Sequence, residues 1–311
     1  MSDLAQSAQA ADEAVTIGPD RSLTYDAWQI LKGRWLFWVG LFLVGSFAIM
    51  AIFPQLFLFL NPADTDISGS SCNLREGRLA PSSEHWFGTD QQGCDYYVRV
   101  IYGAQVSMRV ALGATAVTAT LGLLLGALAG YYGSWIDTIL SRLADGFFAL
   151  PYLVGAIIIL SALSTQGSRT EFDVLIAIAF LGWPAVLRLF RGQVLQVKTM
   201  EYVESARALG ASDYRILRKH IFPNAIAPVL IYSTIGMGAV ISVEATLSFL
   251  GIGLPLGTIS WGIMINDAQR FVRAGTDIHL LIFPGIFLVL ASLGFVVLGE
   301  ELREAFDPRS R

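Results

Sequence analysis

The side chains able to do bond chemistry in this 311-residue sequence are few and scattered. The three histidines, His85, His220 and His279, stand far apart, and no His, Asp or Glu grouping falls at ligand spacing. Neither a metal centre nor a nucleophile with its base is therefore expected. No Gly-x-x-x-x-Gly-Lys-Ser/Thr run occurs, which excludes ATP binding in a phosphate cradle. The two cysteines, Cys72 and Cys94, share one hydrophilic stretch. They read either as a disulfide closing a loop of about twenty residues, worth on the order of 3 kcal/mol in an oxidising compartment, or as two unpaired thiols. What remains are acids within or beside apolar sequence. Glu244 lies about six residues, or roughly 9 Å, past the centre of an apolar segment, where a carboxyl is costly. It either faces a substrate path, with Ser242 and Thr246 beside it, or bonds to the glycine-rich stretch that follows. Asp145 stands three residues from Arg142, a spacing for a local ion pair, with a gating role as the alternative.

The elements that must position these groups are membrane spans. Hydrophobic residues make up 54% of the chain and charged ones 15%, more apolar than a soluble domain of this size. A helix of about twenty mostly apolar residues crosses the hydrocarbon with its backbone bonds satisfied internally. Segments 35–63, 110–136, 146–168, 221–243 and 280–299 carry no charge, and 174–187 becomes long enough if Asp173 sits at one interface and Arg188 snorkels at the other. Segment 245–266 is also uncharged, but Gly251, Gly253, Pro255, Gly257 and Gly262 make it an extramembrane or re-entrant loop.

The expected fold is thus an all-α polytopic membrane protein of about six transmembrane helices. Its layout is a tail at 1–34, a first span at 35–60, an extracytoplasmic loop at 61–103, a five-helix core at 104–299 and a tail at 300–311. The core contains a cytosolic loop at 191–223 and an extracytoplasmic loop at 251–279. Loops on the side of the termini carry most of the Lys and Arg, so both termini are expected in the cytosol. The acidic start, with Asp3, Asp12, Glu13 and Asp20, reads as a polar tail rather than a cleavable signal. A net charge of −4 and the lack of a basic run argue against nucleic acid as a partner.

The cytosolic loop is patterned in its own right. From 200 to 209 the residues are good helix formers, with Glu201 and Glu204 early and Arg207 late, matching the helix dipole. Gly210 supplies a left-handed stop before Ala211, and Ser212 is expected to cap a second short helix with Asp213 in its first turn. Pro223 is expected to end that helix. Val203, Ala206, Leu209 and Leu217 are expected to pack inward while Glu204, Arg207, Arg215 and Arg218 face water or a partner.

The run Glu204-Ser205-Ala206, with Gly210 and Pro223 following, resembles the EAA signature of binding-protein-dependent ABC importer permeases. Ser205 departs from the usual alanine and His220 from an aliphatic residue. Other runs resemble the C-type permease subunit of oligopeptide and dipeptide importers. They are His85-Trp86-Phe87-Gly88-Thr89-Asp90 with Gly93 and Asp95, then Trp183-Pro184 with Arg188, Arg191-Gly192-Gln193, Glu201-Tyr202-Val203, Leu247-Ser248-Phe249-Leu250-Gly251, Ser260-Trp261-Gly262 and Asp307-Pro308-Arg309. Cys94 stands where those proteins often have arginine.

The resemblance implies a type I importer permease of a bacterial cytoplasmic (inner) membrane, with no catalytic residue, cofactor or metal of its own. It also implies a homologous B-type permease subunit, two ATPase subunits holding ATP and Mg, and an extracytoplasmic peptide-binding protein as partners. The cargo would be a di- or oligopeptide, or another small solute such as nickel.

Overall fold

The computed structural model describes residues 23–59, 61, 72–163, 169–255 and 257–306. Helices dominate. In chain order they are α1 (Leu23–Lys32), α2 (Trp35–Ile52), α3 (Gln55–Leu58), α4 (Tyr96–Tyr132), α5 (Ser134–Phe148), α6 (Tyr152–Leu163) and α7 (Glu171–Lys198). There follow α8 (Glu201–Ala208), α9 (Asp213–Ile216), a π-helical turn (Leu217–Ile221), α10 (Phe222–Ala225), α11 (Ala227–Phe249), α12 (Trp261–Arg273) and α13 (His279–Phe306). Among the described residues there is no strand, only an isolated bridge between Thr89 and Asp95.

Five helices, α2, α4, α7, α11 and α13, are long and apolar enough to cross a membrane. A sixth crossing exists if α5 and α6, bent by 98° at a short break, count as one. The bend breaks the span expected at 146–168: α5 ends at Phe148, and Pro151, which has no N–H to continue the ladder, precedes α6. At 12 residues α6 is about 18 Å long, short of the roughly 30 Å hydrocarbon. Residues 164–168, the rest of the expected span, lie outside the described residues.

Other boundaries also move. The loop expected at 61–103 ends at Asp95, whose carboxylate accepts a bond from the Val98 N–H at 3.0 Å and caps α4. The 37 residues of α4 make a rod about 55 Å long, which outruns the bilayer core. At its other end Gly133, with φ +65°, stops it short of the expected 136. The tail regions at 1–34 and 300–311 hold α1 and the end of α13, which Arg34 ties together through Glu301 at 3.1 Å and through Glu304. Within 251–279 the amphipathic α12 lies on α13, α11 and α4.

α4 is the central strut, packed on α7, α11 and α2, while α13 joins α11 to α2. Its fit to α7 depends on Gly122, Gly126 and Gly130, one per turn. An added Cβ would come 2.4 Å from Val186 Cβ at the first, 2.8 Å from Leu187 O at the second and 2.8 Å from Val194 Cβ at the third. In lipid, helix association rests on such close backbone approach.

Candidate functional site

The stretch between α7 and α11 lies at the same end of the bundle as Arg34 and the close of α13: α13 runs back along α11, with Gly299 against Ile235, and Arg34 reaches Glu301. α8 ends in two bonds that satisfy its last carbonyls: Ala211 N–H to Ala206 O at 3.1 Å and Gly210 N–H to Arg207 O at 3.0 Å. This is the Schellman pattern, and it needs the left-handed φ of +80° found at Gly210. Val203 is fully buried in a cluster with Tyr131, Val194, Val197, Ile216 and Ile221, which fastens α8 to the bundle. Asp213 adds a tie, accepting a bond from Tyr131 Oη at 2.6 Å. Glu201, Glu204, Ser205, Arg207, Gly210 and Ser212 face outward, with Ala206 and Ala211 half-buried.

Three expectations for this stretch are corrected. Leu209 points out, 88% exposed, because α8 ends at Ala208 and the turn swings the next residue away. Ser212 occupies the cap position of α9 without a capping side-chain bond. Pro223 does not end a helix: it sits in the first turn of α10, where a missing N–H costs nothing, just after the π turn.

The acids resolve differently. Asp145 is held by Arg188 of α7, with Arg142 a looser neighbour at 3.8 Å. A second contact that the sequence reading missed joins Arg191 Nη2 to Asp137 Oδ2 at 2.6 Å. Two arginines one turn apart on α7 thus grip two acids on α5, which holds the bent element. Glu244 is 0% exposed. Its Oε2 accepts from Ser107 Oγ at 3.1 Å and its Oε1 from Ser248 Oγ at 2.9 Å. Ser248 Oγ in turn accepts the Leu254 N–H of the glycine-rich loop at 3.3 Å. The carboxyl is therefore enclosed by α4, α11 and that loop and lines no open path. Ser242 and Thr246 bond back to the Gly238 and Ser242 carbonyls, at 3.1 and 2.7 Å.

On the opposite face, residues 72–95 fold into a cap. A disulfide joins Cys72 and Cys94, whose Cα atoms are 4.3 Å apart. Asp90 accepts from the Gln92 and Cys94 N–H groups at 2.8 and 3.0 Å and pairs with Arg99 at 2.8 Å. A Cβ at Gly93 would lie 1.8 Å from Asn73 O, so the glycine there is a steric requirement. Phe87 stacks on Phe283 with centroids 3.9 Å apart, and Gln91 Nε2 donates to Asp267 O of α12 at 3.4 Å, while Trp261 Nε1 ties α12 to α4 through Val100 O at 2.9 Å. The motif at 85–95 thus holds the cap on α12 and α13. The Asp307-Pro308-Arg309 run lies outside the described residues.

At mid-depth, between α4, α6, α7 and α11, there is a cavity of about 250 Å³ with Thr115, Thr118, Tyr152 and Ser233 in its wall. No cluster of three or more metal-ligating side chains occurs among the described residues.

Multiple apolar spans, a short helix anchored at one end of the bundle and an uncharged mid-depth cavity define a polytopic membrane protein of the permease type. The chain belongs to the family of binding-protein-dependent transport system inner membrane components, whose model matches residues 122–311. Its relatives extend the match over nearly the whole length. The dipeptide transport system permease protein of Bacillus subtilis is 38% identical over 293 residues, covering 94% of this chain and 88% of the relative. The oligopeptide transport system permease protein of the same organism is 35% identical, covering 98% and 95%. The glutathione transport system permease protein of Pectobacterium atrosepticum is 36% identical, covering 87% and 85%. The crystal structure of an amino acid ABC transporter with histidines shares the fold, with a TM-score of 0.51 at 18% identity over 66% of this chain and 92% of that one.

Proposed function

We propose that the chain is the permease subunit of an ATP-driven importer of di- and oligopeptides, seated in the cytoplasmic (inner) membrane of a bacterium. The observation that carries the coupling is α8, a helix fastened by Val203 and presenting Leu209 to water beside Glu204 and Arg207. A leucine 88% exposed at the tip of a fixed turn suits burial in a partner's groove. The sequence has no phosphate cradle, so the partner is an ATPase pair that holds ATP and Mg. Glu201, Ser205, Ala206, Gly210 and Ala211 shape the docking element, and a rigid-body shift of that pair moves α7 and α11 through it. A homologous B-type permease completes the path, and an extracytoplasmic peptide-binding protein delivers cargo to the cap side. The peptide assignment is supported by relatives named for dipeptide and oligopeptide transport at 35 to 38% identity. A second reading, a modified tripeptide, is favoured by the relative named for glutathione transport.

The test is the importer reconstituted in liposomes. Leu209→Asp should leave the thermal midpoint unchanged but cost about 2 kcal/mol of docking, roughly thirtyfold in ATPase affinity, and lower peptide uptake accordingly. Unchanged ATPase retention would sink the coupling role. Uptake by the wild type of another solute but of no peptide would sink the cargo assignment.

A further inference from the structure

The mid-depth cavity has no charged side chain in its wall, and its polar groups are all hydroxyls. Two of them are occupied: Tyr152 Oη donates to Ile178 O at 3.0 Å and Thr118 Oγ1 to Ala179 O at 3.4 Å. The hydroxyls of Thr115 and Ser233 are shielded from water and have no partner among the described residues. Their neighbours on the same helices behave otherwise. Thr120 bonds back to Ala116 O at 2.8 Å and Thr234 to Leu230 O at 2.9 Å, the ordinary way a hydroxyl is satisfied inside a helix. An unmet buried hydroxyl costs about 1–3 kcal/mol, so two on residues in the wall of one cavity leave bonding capacity that an occupant meets once the side chains rotate toward it. Gly236 keeps the space free, since a Cβ there would meet nothing within 4 Å.

We propose that this cavity is a subsite of the transport path that takes an uncharged, amide-bearing stretch of the cargo, whose main-chain N–H and C=O meet Ser233 and Thr115. The inference rests on the peptide reading above. A hydroxyl both donates and accepts, so the pair reads the main-chain amide that all peptides share and ignores the side chains that differ. A neutral wall holds no ion and gains nothing from a charged terminus, which leaves the interior of the peptide as the part that fits.

Cys72 and Cys94 are paired with each other, so Ser233→Cys introduces the sole free thiol of this chain. In the assembled importer in liposomes, the thiol is treated with methyl methanethiosulfonate, a small uncharged reagent, and read as a mass shift on this chain. The reaction is run with and without an equimolar mixture of di-, tri- and tetra-alanine, beside uptake of the same peptides by the wild type. The thiol should react, and the peptides should slow the reaction several-fold. T115V/S233A should fold at least as stably as the wild type while importing the peptides more slowly, an outcome that helix packing alone does not produce. No labelling, or labelling that imported peptides leave unchanged, overturns the subsite: the cavity is then sealed or only water-filled. If the wild type imports none of the three peptides, the cargo reading fails and the subsite falls with it.

Discussion

Glu244 shows how one acid is kept inside an apolar bundle. Its two oxygens take hydroxyl bonds from Ser107 and Ser248, and no cation is among those partners. Glu244→Gln keeps the shape and one of the two acceptor oxygens, with its NH2 facing the other serine hydroxyl as a donor, whereas Glu244→Leu strands the Ser107 and Ser248 hydroxyls. The leucine variant is expected to lose about 2–3 kcal/mol and the glutamine variant about 1 kcal/mol, read as the thermal midpoint of the purified protein in detergent. Equal losses would show that volume rather than bonding matters at this position. Part of this was legible beforehand. Ser248 is four residues on, one helical turn, so its contact follows from spacing, whereas Ser107 is 137 residues away and no local pattern points to it. The left-handed stop at Gly210 was legible because it needs only one residue type in one place. Leu209 was misread because a helical wheel extends past the real end of α8 and assigns an inward face to a residue already in the turn.

Among the elements, the fit of α4 to α7 is the most exacting. Gly126→Leu would drive a side chain into the Leu187 carbonyl, 2.8 Å from the added Cβ, with Phe190 Cβ only 3.1 Å away. Neither helix can yield without opening the bundle, so a loss of about 3 kcal/mol or more is expected, seen as loss of monodisperse protein in size-exclusion chromatography. Gly146→Leu, at a position where a Cβ meets nothing within 4 Å, is the control and should behave as wild type. The spans themselves were legible from uncharged runs of sufficient length. The broken third one was not, because a proline in such a run is compatible both with a kinked span and with a 98° turn, and the choice is made by Arg188 and Arg191 reaching across from α7. The small-residue stripe carried a signal at its four-residue spacing, but the partner helix was invisible without the fold.

At the scale of the whole molecule, the cap at 72–95 and α12 form one body over the opposite end of the bundle. Reducing the disulfide, or replacing Cys72 and Cys94 by serine, should cost the cap about 3 kcal/mol of local stability while leaving the spans intact. Hydrogen exchange should then quicken at 78–95 but not in α7 or α11; uniform quickening would mean that the cap holds the whole bundle together. One rod links this body to the other side. α4 begins in the cap at Tyr96 and ends at Tyr131 and Tyr132 beside Lys198 and Asp213, next to the turn that carries α8. Over its length of about 55 Å, a tilt of about 5° displaces the far tip by about 5 Å, the width of a peptide chain, so a small rotation at one end of the rod is a large displacement at the other.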